Sequence, residues 1–149
     1  MAAATETPSV AEEAWTLLFE LAKTKHSDLA KALAELDLTP VQGHALRLLR
    51  PDRPLAMSEL ADALYCHASN VTGIVDRLEA RGLVERRPGV EDRRVKTLAL
   101  TSEGARVRER VVELVAAPPP AIAALAPSDQ RALRDILRRA HAAGDRRLQ

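Results

Sequence analysis

Ser58-Glu59-Leu60-Ala61-Asp62-Ala63-Leu64-Tyr65-Cys66-His67-Ala68-Ser69-Asn70-Val71-Thr72-Gly73-Ile74-Val75-Asp76-Arg77-Leu78-Glu79-Ala80-Arg81-Gly82 is the stretch whose reading decides the fold. Leu60, Ala61 and Leu64 recur at helical spacing, and Ser58 can open the helix, so a short helix is expected over Glu59 to Leu64. A tight turn at Tyr65-Cys66-His67 leads into a second helix through Ser69 to Arg81. Its apolar residues Val71, Ile74, Val75 and Leu78 lie on one side. Gly82 follows the last periodic residue, where a left-handed cap is expected. Leu83 to Arg87 and Val95 to Leu100 then favour extended structure, with Pro88-Gly89 marking the turn region between them. Two short helices joined by a tight turn and followed by a basic two-stranded hairpin make a winged helix-turn-helix.

Outward from this stretch the chain is helical. Residues 10–36 read as one long helix, with Leu18, Ala22, Leu29, Leu33 and Leu36 in register and Trp15 and Phe19 one turn apart. Thr39-Pro40-Val41-Gln42 is a capping box with proline at the first helical position. It opens a helix to about Arg50 with Val41, Ala45, Leu48 and Leu49 inward. Thr101 or Ser102 caps a fifth helix carrying Val107, Val111, Val112, Leu114 and Val115, which cannot continue through Pro118-Pro119-Pro120. A last helix runs from Pro127 to about Arg147, with Leu133, Ile136, Leu137 and Ala140 inward. The expected fold is mainly α, with about six helices and a two-stranded wing.

Charge supplies the functional argument. The totals nearly cancel, 22 Lys+Arg against 21 Asp+Glu, yet residues 1–40 hold seven acids and three lysines while residues 77–96 hold seven bases and four acids. No apolar run approaches the roughly 18 residues of a membrane span, and the start of the chain lacks signal-peptide order, so a cytoplasmic protein is expected. One cysteine builds no disulfide framework, and the four scattered histidines give no metal-ligand spacing. No nucleophile–base pair or phosphate loop points to an enzyme, and no cofactor is implied.

The second helix of such a pair presents a polar face to a major groove. Here that face consists of Ser69, Asn70, Thr72, Gly73, Asp76, Arg77 and Ala80. Ser69 and Asn70 can donate to phosphates or base edges, Arg77 can reach a guanine edge or a phosphate, and Gly73 suits close approach to DNA or to another backbone. On the hairpin, Arg86, Arg87, Arg93, Arg94 and Lys96 can follow the DNA backbone or enter a minor groove. Asp92 reads as a partner that orients Arg94 or Arg77.

Several segments together resemble the MarR family of bacterial transcription regulators. They are Leu38-Thr39-Pro40-Val41-Gln42, Ser58-Glu59-Leu60-Ala61, Ser69 through Glu79, Arg81-Gly82-Leu83-Val84-Glu85-Arg86, Asp92-Arg93-Arg94 and Leu100-Thr101-Ser102-Glu103-Gly104. The resemblance runs from about residue 10 to 147. It implies a homodimer with two winged domains on a pseudo-palindromic DNA operator, most often a repressor released by small aromatic or phenolic ligands or by oxidants. It also implies an N-terminal dimerisation helix over 1–38, a DNA-binding domain over 39–101 and C-terminal dimerisation helices over 102–149. Ser69, Asn70, Thr72, Gly73 and Arg77 would lie on the recognition helix, and Asp92, Arg93 and Arg94 in the wing motif. The chain departs from the family at Tyr65-Cys66-His67, where a small or aliphatic turn is common, and at Pro118 to Pro120.

Other residues keep two readings each. Trp15 and Phe19 line an effector pocket or are ordinary core or interface aromatics, and His44 and Arg47 contact an anionic effector or are solvated. Cys66 is a redox sensor whose oxidation tilts the recognition helix, or a small packed turn residue. His67 touches a phosphate or only water. A winged-helix protein-interaction module without DNA binding is the rival from another class.

Overall fold

Ser9 opens the first helix, α1 (Val10–Ala34), through a capping box in which its hydroxyl accepts from Glu12 N–H while the Glu12 carboxylate accepts from the Ser9 amide. In the computed structural model, residues 7–89, 92 and 94–145 are described. The chain then turns through Asp37, which holds a positive φ of 54°, into α2 (Pro40–Leu48). The Thr39–Gln42 capping box forms as the sequence predicts. It also changes which face points inward. Gln42 is drawn under the chain by accepting the Thr39 amide at 2.9 Å and is buried, while Val41 is exposed instead of inward.

A short strand, β1 (Leu55–Ala56), precedes α3 (Met57–Ala63). Ser58 is not the cap of α3: the helix starts at Met57, two residues before the expected Glu59, and Glu59 reaches back to the Ala56 amide at 2.9 Å. After the turn comes α4 (Ala68–Ala80), closed by Gly82 at φ 67°. The wing consists of β2 (Val84–Pro88) and β3 (Lys96–Leu100). It belongs to a three-stranded antiparallel sheet in the order β1-β3-β2, where two strands are expected from sequence; Leu55 pairs with Leu98 and Val84 with Leu100.

Helix α5 (Ser102–Ala116) is capped by Thr101, whose hydroxyl accepts from Gly104 N–H at 2.9 Å. Gly104 is required there by close approach, because a Cβ at this position would lie 1.7 Å from the Leu83 carbonyl oxygen. The core joins α1 through Leu33, α2 through Ala45, Leu46 and Leu49, and α3 through Leu60. It is completed by Val71, Val75 and Leu78 of α4, Leu98 of β3 and Val111 of α5. Long-range links fix the frame. Arg81 donates to the Asp37 and Leu36 carbonyls at 2.6 and 2.9 Å, Lys25 donates to the Leu114 carbonyl at 2.9 Å, and Arg108 donates to the carbonyls of Leu49 and Arg47.

Residues 1–117 form one compact unit and 118–149 a second. The division falls at the proline run, and within the first unit α1 and α5 both pack on α2. The second unit contains α6 (Pro120–Ala123), a single turn not expected from the proline-rich sequence, and α7 (Pro127–Asp145). The described residues thus hold seven helices against the six anticipated. Gln130 joins α6 and α7 by donating to the Ala123 and Leu125 carbonyls, both at 3.0 Å. Ile136 and Leu137, expected inward, stay largely exposed, so α7 keeps an apolar face uncovered within the chain. No helix among the described residues is long and apolar enough to cross a membrane.

Candidate nucleic-acid interface

Burial of Val71, Val75 and Leu78 against the core turns the opposite side of α4 to solvent. Ser69, Asn70, Thr72, Gly73, Asp76 and Arg77 are all exposed on it, as the periodicity predicts. A Cβ on Gly73 would meet nothing within 4 Å, so no neighbouring segment among the described residues requires a glycine there. The first turn of α4 has no side-chain cap, and its Asn70 and Val71 amides donate to the His67 carbonyl at 3.0 and 3.3 Å. A groove of about 440 Å³ runs along this helix, walled by Thr39 and Val41 on one side and by Cys66, Ser69, Asn70 and Arg77 on the other.

The cations of the wing separate into two kinds. Arg86, expected among the DNA-facing residues, is engaged within the fold: its guanidinium pairs with Asp76 at 2.5 Å and with Glu79, and its amide donates to Glu79 at 3.0 Å. Burial by itself would lower the pKa of Arg86, but the two carboxylates more than offset that and hold it above the usual guanidinium value. Arg87 pairs with Glu85. Arg77, Arg94 and Lys96, in contrast, are exposed and have no acidic partner among the described residues. Asp92 orients the tip through the backbone, accepting from Arg94 N–H at 2.8 Å, and pairs with no guanidinium among the described residues. Arg93 lies outside the described residues.

Cys66 is half-buried at the foot of the α4 groove, with its thiol donating to the Leu64 carbonyl at 3.3 Å. Trp15 and Phe19 contact one another with ring centroids 6.4 Å apart, yet they are 65% and 55% exposed. They are not among the residues lining the cavity that holds His44 and Arg47. That cavity, about 360 Å³, is walled by Leu29, Leu33, Val111 and Val115, with His26, His44 and Arg47 at its polar side and no acidic lining residue. His26 was missed from sequence, although it stands three and seven residues before Leu29 and Leu33, on the same helical face. No group of three or more His, Cys, Asp or Glu among the described residues could hold a metal.

A helix pair with an exposed polar second helix and a cationic β-wing defines a winged helix-turn-helix DNA-binding protein. A model described as MarR family matches residues 38–96. The organic hydroperoxide resistance transcriptional regulator of Bacillus subtilis is 29% identical over 66% of this chain and 67% of its own length. The transcriptional repressor MdtR of the same organism is 35% identical over 52% of this chain and 50% of its own. Among solved structures, the apo form of wild-type MarR from Escherichia coli superposes with a TM-score of 0.74 at 25% identity, covering 91% of this chain and 98% of that one. A mutant of MepR from Staphylococcus aureus, bound to an oligodeoxyribonucleotide, superposes at 0.64 with 22% identity, over 87% of this chain and 96% of that one. Residues 38–96 thus match the MarR family, and the chain has the fold of MarR-like winged helix-turn-helix transcription regulators.

Proposed function

We propose that this regulator is a homodimeric repressor of a pseudo-palindromic operator, released when a small aromatic or phenolic acid enters the cavity between α1, α2 and α5. The observation that carries the DNA part is the set of exposed cations Arg77, Arg94 and Lys96, without an acidic partner among the described residues, in a region where Arg86 and Arg87 are held by acids. Ser69, Asn70, Thr72, Gly73 and Arg77 face the major groove, with Arg94 and Lys96 of the wing on the adjacent backbone and minor groove and Asp92 shaping the tip. A MepR mutant of this fold is bound to an oligodeoxyribonucleotide, which supports the DNA reading.

The dimer reading rests on uncovered apolar surface. Trp15, Leu17 and Phe19 of α1 are exposed in the first unit and Ile136 and Leu137 of α7 in the second. Burying both against a second copy removes a patch that a soluble monomer rarely carries. On this reading dimerisation falls to 1–38 and 102–149 and DNA binding to 39–101. His26, His44 and Arg47 over an apolar wall suit an anionic ring.

Salt-dependent gel shifts with fragments around the protein's own gene test the DNA reading. A specific complex is expected, and Arg94→Ala should weaken it while reducing the salt slope by about 1. No specific band at moderate salt, or unchanged affinity in Arg94→Ala, would sink it.

A further inference from the structure

Tyr65, in the turn of the helix-turn-helix, has a conformation and a placement that its packing does not explain. It follows α3 with φ at 52°, a left-handed conformation that glycine or asparagine adopts with less strain than an aromatic residue. No burial offsets that strain, because the side chain is 97% exposed. Its hydroxyl has no hydrogen-bond partner among the described residues. A strained backbone that displays an aromatic ring to solvent points to a contact made outside the chain.

Its surroundings say which contact. Tyr65, Cys66 and His67 wall a shallow hollow with Asp62, and Cys66 also walls the groove that carries Ser69, Asn70 and Arg77. The turn is therefore continuous with the DNA-facing side of α4. We infer that Tyr65 contacts the DNA backbone, its phenol hydroxyl donating to a phosphate at the edge of the major groove that α4 enters. This rests on the DNA-binding reading above. A neutral phenol suits the position: a cation beside Asp62 would be drawn to that carboxylate, as Arg86 is to Asp76, whereas the phenol keeps its donor for the phosphate.

Two variants test the assignment on two probes, a duplex selected by the wild-type protein from a randomised pool and an unselected duplex of the same length. Tyr65→Asn should unfold at the wild-type temperature or higher, since asparagine tolerates the left-handed conformation. Both Tyr65→Asn and Tyr65→Phe should raise Kd about tenfold, the worth of one hydrogen bond to a charged acceptor. The factor should be the same on both duplexes, because phosphates carry no sequence. The salt slope should stay at its wild-type value, because a phenol releases no counterion. Unchanged affinity in both variants overturns the inference, as does a loss confined to the selected duplex or a lower unfolding temperature in Tyr65→Asn. A wild-type protein that binds neither duplex overturns the DNA reading itself, whereas wild-type binding with unaffected variants removes Tyr65 alone.

Discussion

Replacing Arg86 with methionine keeps the aliphatic stem and removes the guanidinium that joins the recognition helix to the wing. The two ion pairs lie between solvent and core: the Arg86 side chain is 21% exposed, Glu79 38% and Asp76 59%. Water reaches both acids once the guanidinium is gone, so the roughly 3–5 kcal/mol for breaking a fully buried pair is too high. The roughly 0.2–1 kcal/mol of an exposed pair is too low for a guanidinium this covered. Two pairs between those limits give a loss of about 2 kcal/mol in folding stability, or about 4–8 °C in unfolding temperature for a chain of this size. The β2–β3 register should survive, because the Arg86 amide still donates to Glu79 and the ladder from Val84 to Pro88 is untouched. Thermal and urea unfolding of the variant and the wild type measure the loss. An unchanged midpoint would refute the view that this cluster anchors the wing, and a loss of strand signal would refute the claim that register is independent of it.

Two further outcomes follow from local geometry. Gly104→Ala places a methyl 1.7 Å from the Leu83 carbonyl, which also accepts the Thr101 amide at 3.2 Å, so it should lose about 3 kcal/mol or more. Gly144→Ala, where a Cβ meets nothing within 4 Å, should instead gain about 0.5–1 kcal/mol of helix propensity, and calorimetry that found the same sign for both would contradict this account. Acid sensitivity has a fixed sign. The Ser9 amide and hydroxyl hold the Glu12 carboxyl below its usual range, and Arg50, Arg106 and Arg134 do the same for Asp52, Glu103 and Asp135. A depressed carboxyl contributes stability that is complete above the unfolded value, 4.5 for Glu and 3.8 for Asp, and is lost as pH falls through the lower folded value. The contribution of these four groups is thus flat from pH 7 to about 5 and declines modestly below that, since all four are exposed. A pH series of unfolding temperatures at fixed salt checks it, and a rise on acidification would contradict it.

Periodicity made α2, α4 and α5 legible because each buries a stripe against a shared core, α1 because its unbroken apolar spacing ends in the buried Leu33, and Gly82 because a left-handed cap has few alternatives. Features without a period were not. Leu55–Ala56 is too short a strand to alternate, α6 is one turn that Pro120 starts rather than prevents, and the capping box reversed the roles of Val41 and Gln42. The exposed face of α4 could be read from the residues that had to be buried opposite it. Arg86 could not be read, because its partners lie seven and ten residues upstream on another element, and composition treats every arginine of a basic hairpin alike. Trp15 and Phe19 illustrate the converse: an aromatic pair at helical spacing looks like a wall, and only the packed chain tells which side of the helix has anything to enclose.

The fastening of α2 has a mechanical consequence. Thr39 and Gln42 lock its first turn, Arg81 grips the carbonyls of Leu36 and Asp37 just before it, and Arg108 clasps the carbonyls of Arg47 and Leu49 at its far end. A rod clamped at both ends does not absorb a push by bending. It lies between the cavity of His44 and Arg47 and the groove of Ser69 and Asn70, and Val41 lines both. The two hollows therefore share a wall on this short helix, and a push on one side of it would reach the other as rigid movement.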